Sequence, residues 1–527
     1  TSAAAGGIGA GTNGLVSSTL GIGPTITSFD PVVSATLQSD HAKIDCTSIF
    51  CGPVTNTTTA NFNYTQGLPS GTTIGVGFQN SRVTTDNPFN FLSPSLNSGF
   101  KFQLTQHLLQ GFGFLPNDRL IQITKNNREI TDVAFRLQII TTVDQIENLY
   151  WNLVYAYENV RVQQEAIAFA QKTLSDNQKQ VQIGSLAPIE VVRAQNTVAA
   201  DQQNLIQAQT NLDLQQLLMK NALSRTLQDP RLANAEVIPT TTMALPQQEP
   251  VVPTEDLVND ALQHRPELAE SRIDLRNREI SEKALKNALL PTVDVFAYYG
   301  GSGAGGTQSP YTECGSPLVS PVTQFIGCNP PGLFAPTSYG STLNKLVDST
   351  ASDKGAGFTI NIPIRNRQAQ ALQVRGELEY RQAQMRLQQI ENQVRIEVRN
   401  AQFSVTQNHA AVQAAQAAVA LAQQSLEAEQ KKYNLGASTS TNVLNYQSQL
   451  AAARSQLVSA EASYEKAEVE LDRATGLLLE HAGIVMSDAE SGEVTHAPHI
   501  PFVAPRKDVS SVMPPPTENE QPAPQQP

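Results

Sequence analysis

Charged and large aromatic side chains are scarce in this chain of 527 residues. Charged residues make up 16% of the sequence, aromatic residues 6%, and Trp151 is the only tryptophan. This composition argues against one large aromatic-rich core. The formal net charge is −12 at pH 7, and the sequence lacks the basic stripe that binding to a nucleic-acid backbone requires. Nucleic acid is therefore excluded as a partner.

Long apolar runs are also missing. No window approaches the roughly 20 uninterrupted apolar residues that a membrane-spanning helix requires. The segment that begins at Thr1 does not have the pattern of a signal peptide, so we expect either that a leader has been removed or that none existed.

The usual chemical motifs of enzymes are absent as well. Two stretches, GAGTNG at 9–14 and GSGAGG at 301–306, fit the spacing GxGxxG, but neither lies between a strand and the start of a helix. The seven histidines include no pair with the i, i+4 spacing of a helical metal site. We therefore predict no catalytic, cofactor-binding or metal-binding residues, and an enzyme is the class least favoured.

Only four cysteines occur, and they form two close pairs. Cys46 with Cys51 and Cys314 with Cys328 lie in stretches rich in Gly, Pro, Ser and Thr, without neighbouring histidines. This arrangement favours two local disulfides in exposed loops and an oxidising compartment over a metal site. Four unpaired loop thiols are the alternative.

The chain contains a long internal repeat with a period of seven residues. Glycines 184 and 436 stand in equivalent positions 252 apart, and apolar residues precede and follow each of them at steps of seven. The stripes before the glycines are Leu153, Val160, Ile167, Leu174 and Val181 in the first copy and Val405, Val412, Val419, Leu426 and Tyr433 in the second. A sustained step of seven predicts helices that supercoil against their neighbours.

A short break interrupts each copy and divides it into two helices. Gly184 and Gly436 can adopt the left-handed conformation that ends a helix, and the Ser, Thr or Pro that follows can start the next. Each copy is thus predicted to be an antiparallel helical hairpin. Its incoming helix, about 117–183 or about 368–435, would be about 100 Å long.

Strand-like segments precede each hairpin. GFTINIPI at 357–364 and GFKFQLTQ at 99–106 alternate apolar and polar residues, as do runs at 30–38, 60–67, 72–80 and 292–299. This alternation is typical of an outer-membrane barrel, although a soluble sandwich gives the same pattern. Because unpaired strand edges are forbidden in lipid, so few strands could close a barrel only if several chains pooled them.

Five segments carry a resemblance to a known family. They are ALQHRPELAESR at 261–272, LLPTVDV at 289–295, GFTINIPIRN at 357–366, YNLGASTSTNVLNYQSQLAAARSQL at 433–457 and its first-copy partner IGSLAPIEVVRAQNTVAADQQNL at 183–205. With these motifs the chain resembles the TolC-like outer-membrane efflux proteins, the outer-membrane factors of tripartite export systems, from about residue 95 to 476.

The resemblance implies a mostly α protein with β structure. Its two repeats of long helical hairpins would form an α-barrel tunnel, and its strands would contribute to a trimeric outer-membrane β-barrel, with two strand pairs from each protomer. Such a homotrimer is the exit duct of a tripartite efflux or type I secretion system. It would lie in the outer-membrane lipid of a Gram-negative bacterium with its helices in the periplasm. A periplasmic adaptor would join it to an inner-membrane RND, ABC or MFS pump.

The resemblance also places a constriction at the hairpin tips, near Gly184 and Gly436. There Tyr433 would reach toward the neighbouring hairpin near Glu190, while Asn442 and Asn445 would point into the narrowest ring. Family members often have aspartates at those two positions, so the asparagines predict weak or absent block by cations. The alternative is that both asparagines merely cap the returning helix, and that Tyr433 and Gly436 only pack and end a helix.

The predicted organisation has five segments. The boundaries are 1–28 for a Gly/Ser-rich start that looks truncated, 29–225 for the first repeat, 226–253 for an equatorial linker, 254–480 for the second repeat and 481–527 for a disordered Pro-rich tail. The first repeat holds strands within 30–106 and helices at about 117–183 and 187–225. The second repeat holds a helix at 254–290, strands within 292–364 and helices at about 368–435 and 440–475.

Two further expectations follow from the repeat. The first copy has four strand candidates against two in the second, which suggests an elaborated extracellular hairpin. A soluble or periplasmic coiled-coil structural or adaptor protein remains the alternative function. It would explain the heptads, but it leaves the strands and loop cysteines without a role, and an adaptor has only one long hairpin.

Overall fold

A computed structural model describes residues 18–45, 54–224, 235–243, 252–319, 321–348, 351–492 and 495. The chain divides into two compact units. One comprises Thr1–Arg128 and Ile273–Met385, and the other Glu129–Arg272 and Arg386–Pro527. Helices α1 (Phe114–Gln182), α4 (Pro266–Asn287) and α7 (Arg367–Asn434) continue from one unit into the other.

The first unit contains one antiparallel sheet of six strands in sequence order. The strands are β1 (Val32–Lys43), β2 (Val54–Gly67), β3 (Thr72–Thr85), β4 (Leu92–His107), β5 (Thr292–Gln308) and β6 (Ser352–Asn361). The pairing joins the two copies, because β4 of the first copy lies beside β5 of the second. The extra strands of the first copy, β1 and β2, pair along the whole sheet beside β3.

The helices of the described residues range in length from 4 to 69 residues. They are α1 (Phe114–Gln182), α2 (Pro188–Leu223), α3 (Thr254–His264), α4 (Pro266–Asn287), α5 (Pro321–Ile326), α6 (Tyr339–Val347), α7 (Arg367–Asn434), α8 (Ser440–Thr475), α9 (Leu478–His481) and α10 (Met486–Ser491). In the part of the chain that the structure describes, no helix carries an apolar segment of the length and hydropathy needed to cross a bilayer.

The helix predicted over 254–290 is interrupted at Arg265. This residue ends α3 in an extended conformation, with ψ 125°, because a residue before proline is disfavoured in the helical region and Pro266 has no N–H. Arg265 is buried and forms ion pairs with Glu267, at 2.9 Å, and Glu397. The break therefore begins a second helix, α4, at the RPEL motif.

Order continues past residue 481, where the sequence predicts a disordered tail. Helix α9 ends at this residue, and α10 follows it at Met486–Ser491. Leu478 and Leu479 are buried with Trp151 and Val154, and Ile484 and Met486 pack against the same cluster. These apolar contacts supply the burial that ordering a segment requires. Residues 496–527 lie outside the described part of the chain.

The seven-residue stripes face the interior of the second unit. Val412 of α7 packs with Ala460 and Tyr464 of α8 in one cluster, and Leu426 packs with Val443 and Leu450 in the next. Leu153 and Ile167 of α1 are similarly buried. Ala460, Ala467 and Ala474 of α8 are also buried, and their small side chains allow these helices to approach closely.

Helix α6, in the connection between β5 and β6, packs on glycine residues of the sheet. Helix α6 lies against β5, and a Cβ atom added at Gly303 would come within 2.2 Å of the carbonyl oxygen of Thr342. The GSGAGG stretch therefore provides a bare surface for a helix.

The Cys314–Cys328 disulfide, with 5.0 Å between the Cα atoms, closes the same β5–β6 connection. The pair Cys46 and Cys51 lies outside the described residues.

Replacing Gly303 with valine is expected to displace α6. Overpacking of this kind costs about 1–3 kcal/mol, so the β5–β6 connection should be cleaved faster in limited proteolysis of the full chain in detergent. Gly99→Val is the matched control, because a Cβ atom at Gly99 of β4 meets nothing within 4 Å. Equal cleavage rates in the two variants would contradict this account of the glycines.

Candidate functional site at the hairpin tips

The two hairpin tips have the same backbone geometry. Gly184 has φ 76° and Gly436 has φ 75°, both in the left-handed region. The N–H of Ser185 donates to the carbonyl of Gln180 at 2.8 Å, and that of Ala437 to the carbonyl of Lys432 at 2.9 Å. These bonds satisfy carbonyl groups at the helix ends, which is the reason for glycine at this position.

The returning helices begin with different capping chemistry. Pro188 is at the first turn of α2, where its missing N–H costs nothing. Thr439 caps α8, because its side chain accepts a hydrogen bond from the backbone N–H of Asn442. The cap is therefore Thr439, and neither Asn442 nor Asn445 caps the helix.

Glu190 connects the first hairpin to the second. The residue is only 9% exposed, and its carboxylate accepts hydrogen bonds from Thr441 and from Ser440 at 3.2 Å. Arg193 on the next turn donates to it at 2.7 Å. The hydrogen bond from Thr441, followed by those from Ser440 and Arg193, lowers the pKa of Glu190 despite burial. The carboxylate is therefore held in its charged form between the hairpins.

Two further hydrogen bonds lie at this junction. Asn177 of α1 is fully buried, and its Nδ2 donates to Ser440 Oγ at 3.1 Å. Tyr433 of α7 donates from its hydroxyl to Oε1 of Gln180 on α1 at 3.0 Å. Tyr433, which was expected to lie near Glu190, does reach the first hairpin, but its hydrogen-bond partner there is Gln180.

Glu429 holds the turn of the second hairpin. It is 6% exposed and accepts from Ser438 in the turn and from Lys432 at 3.1 Å. The hydrogen bonds from Ser438 and then Lys432 lower the pKa of the Glu429 carboxyl. The turn that carries Ser440 and Thr441 is thus fixed from its own side as well.

Asn442 and Asn445 are exposed and three residues apart, so they lie on one face of the first turns of α8. Nδ2 of Asn442 donates to Ser438 Oγ at 3.3 Å. With the repeat offset of 252, Asn442 is equivalent to Glu190 and Asn445 to Arg193. The ionic pair thus occurs only in the first copy, whereas the second presents neutral amides to the surface.

Sequence reasoning missed Asn177, Gln180, Ser440 and Thr441. A signal existed for Asn177, since it follows Ala156 and Ala170 in heptad register, both nearly unexposed. A polar residue on such a stripe needs a hydrogen-bond partner.

Among the described residues, no group of three or more His, Cys, Asp or Glu is arranged to hold a metal ion.

The sequence matches the family described as Outer membrane efflux protein over residues 71–225 and 257–477. The chain belongs to the outer membrane efflux protein family. The matched ranges hold both hairpins and both tips described above. A comparison with curated proteins finds no match.

Solved structures of channels have the same fold. The outer membrane channel CmeC of Campylobacter jejuni is 14% identical, with TM-score 0.53, over 88% of this chain and 81% of that one. VceC of Vibrio cholerae is 17% identical, with TM-score 0.53, over 85% and 87%. The MtrE channel of Neisseria gonorrhoeae is 13% identical, with TM-score 0.51, over 85% and 81%.

Membership of this family fixes the location and class of the protein. It is an outer-membrane duct of tripartite efflux systems, and the soluble coiled-coil alternative has no support. The predicted fold class is confirmed, with long helical hairpins and a β-sheet as in the solved channels. The family is a class of transport ducts and not a class of enzymes.

Proposed function

We propose that three copies of the chain close into one exit duct, with the hairpin tips as its periplasmic gate. A periplasmic adaptor would join the duct to an inner-membrane pump of the RND, ABC or MFS class. Members of the family typically form trimeric channels with such partners. The proposal for this chain is supported chiefly by apolar stripes that a single copy leaves uncovered.

The first uncovered stripe lies on α2. Val192, Ile206 and Leu217 are 51%, 52% and 52% exposed. Their separations of 14 and 11 residues return to the same face of a helix. Isolated apolar residues on a surface are ordinary, but a stripe along a helix is typical of a packing interface.

The second uncovered stripe lies on α7. Ile396, Phe403 and Leu421 are 54%, 66% and 66% exposed, and their separations of seven and 18 residues again keep one face. Helix α2 belongs to the first copy of the repeat and α7 to the second. Packing α2 of one protomer on α7 of the next gives a head-to-tail contact, which closes into a ring when the rotation permits.

The tip contacts fit a gate in the closed state. Glu190 and Tyr433 hold the two hairpins of one protomer together through hydroxyl and amide partners. Apolar contacts also join the hairpins near the tips, because Leu444 of α8 packs with Ala170 and Ala194 of the first hairpin. Separating the hairpins at the tips would widen the entrance, and Asn442 and Asn445 would line it in the closed form.

Replacing Phe403 with glutamate is expected to abolish the trimer, because the variant places charges in an apolar seam. Burying an unpaired charge costs several kcal/mol. The wild-type chain should sediment with outer membranes and give the mass of three copies in native mass spectrometry. Phe403→Glu should give single copies.

The matched control is Gln413→Glu, which adds the same charge at an exposed polar position of α7. It should remain trimeric. A wild-type chain that is monomeric in detergent and in membranes would overturn the proposal. Crosslinking the wild-type trimer in cells to the adaptor and pump would then identify the partners.

A further inference from the structure

Among the described residues, the sheet has two unpaired edges, and these bear on the size of the barrel. Two strand pairs from each of three protomers would give a barrel of twelve strands. In the part of the chain that the structure describes, three strand pairs form one sheet. We propose that β1 of each protomer pairs with β6 of a second copy, so that the barrel contains eighteen strands; this rests on the proposed trimer.

Strand β3 is not available to a neighbouring protomer. A twelve-stranded barrel needs the edge of β3 to pair with β6 of the next copy. In the structure this edge is paired with β2 at thirteen successive positions, from Thr55↔Thr85 to Gly67↔Thr73, without a bulge. The edge strands of the described sheet are therefore β1 and β6.

The β1–β2 hairpin lies at the same level of the sheet as the others. The N–H of Gly67, at the end of β2, donates to the carbonyl of Ser28 just before β1 at 2.7 Å. The turn between β2 and β3 contacts the residues that lead into α1, since Gly113 N–H donates to the carbonyl of Ser70 at 3.1 Å. Both ends of the extra hairpin thus lie at the end of the sheet where β4 leads into α1.

The apolar face of the sheet continues onto the extra hairpin. We use this name for the face whose cross-strand rows are Val33, Tyr64, Val76, Phe102 and Tyr299, and Ala35, Phe62, Phe78 and Phe100. The rings of Phe62 and Phe78 are 6.5 Å apart. Val33 and Leu37 of β1 are 72% and 75% exposed, and Phe358 of β6 is also 72% exposed. Strands that all have one apolar face are typical of a barrel wall in lipid.

The opposite face is polar on the same strands. Its rows include Ser34, Asn63, Gly77 and Lys101, and Thr36, Asn61 and Gln79. A hairpin outside the membrane would need no such separation of faces. The extra hairpin therefore has the two-sided pattern of the strands that belong to the shared family core.

The two edges also suit each other in length and direction. Strand β1 has 12 residues and β6 has 10. Because every neighbouring pair is antiparallel, the first and sixth strands run in opposite directions, so β1 and β6 of a second copy pair without breaking the alternation. Unpaired backbone groups at either edge would be costly in lipid. Since barrel diameter grows roughly linearly with strand number, the barrel would be about one and a half times as wide as one of twelve strands.

Paired cysteines test the edge contact directly in the full chain. Ser34, Thr36, Gln38 or Asp40 on the polar face of β1 is replaced by cysteine together with Thr359 or Asp353 on β6. The scan covers several positions because the stagger is set by barrel closure. Opposed antiparallel residues have Cα atoms within the range of a disulfide, so at least one combination should give covalent trimers on a non-reducing gel. Single-cysteine variants should give none.

The alternative barrel has its own cysteine pairs. Thr73→Cys, Gly75→Cys or Gln79→Cys on β3, each combined with Thr359→Cys, should stay unlinked. Trimers linked through β3 would overturn the inference and leave the proposed trimer intact, as would a trimer with no link from any β1 position. Native mass spectrometry separates the proposals, because single copies would refute the trimer itself. A density map of the solubilised protein should show eighteen strands rather than twelve.

Discussion

Replacing Glu190 with glutamine is expected to open the tips and raise the single-channel conductance in planar bilayers. The wild-type carboxylate accepts from Thr441, Ser440 and Arg193. Glutamine keeps the shape but offers one acceptor oxygen, and its NH₂ group faces donors. A hydrogen bond to a charged group contributes about 1.5–3 kcal/mol, so losing one should shift the closed-to-open equilibrium about tenfold or more.

An ion pair between the first and second hairpins provides the control. Glu165 on α1 pairs with Arg454 on α8, but the two side chains are 52% and 36% exposed. Exposed pairs contribute little, so Glu165→Gln should conduct like the wild type. If Glu190→Gln also conducts like the wild type, the Glu190 contact does not hold the gate.

Acid should weaken the same contact. Hydrogen bonds in the folded protein lower the pKa of Glu190. The carboxylate therefore stabilises the closed tip at pH values above the ordinary pKa of a glutamate. That stabilisation is lost as the pH falls through the lowered pKa of the folded form. Acidification should therefore open the wild-type channel. It should have no such effect on the Glu190→Gln channel, which is already open.

The helical part of the fold could largely be predicted from the sequence. Heptad spacing predicted residues of α7 that are buried, such as Val412 and Leu426. Glycines 184 and 436 marked the ends of helices because few other residues adopt φ near 75°. The break at Arg265 could have been predicted from Pro266, because a residue before proline is disfavoured in the helical region.

The pairing of the strands in the sheet was harder to predict, for a physical reason. Alternation of polar and apolar residues identifies a strand and its faces, but it does not identify the neighbouring strand. The sequence therefore indicated four strands in the first copy without showing that β1 and β2 extend the sheet beside β3. The packing of α6 on Gly303 was equally hidden, because glycine is compatible with a turn as well as a close contact.

The contacts at the tips depend on pairs of residues distant in the sequence. Glu190 and Thr441 are 251 positions apart, and no local pattern relates them. The resemblance to the family directed attention to Glu190 and Tyr433, while Ser440 and Thr441 read as capping residues in the break. Ser440 instead places its hydroxyl between Asn177 and Glu190.

The largest change in ion permeation is expected from the double substitution Asn442→Asp and Asn445→Asp. Both side chains are exposed on one face of α8, and three copies would place six carboxylates in the proposed constriction. Charges a few Å apart interact by about 1–4 kcal/mol each in surroundings between water and a protein surface. Block by hexammine cobalt added on the tip side should strengthen about a hundredfold or more, from a wild-type block that is weak or absent.

The position of the charges can be separated from their number. Gln195→Glu with Asn196→Asp adds the same charge at exposed amides on α2, which the proposal leaves outside the narrowest ring. This variant should gain little block, because in salt solution the interaction between exposed charges decays over about 10 Å. Strong block of the wild-type channel from the tip side would contradict the assignment of the asparagines to the constriction. So would equal block in the two double variants, because the narrowest ring would then lie at another level of the helices.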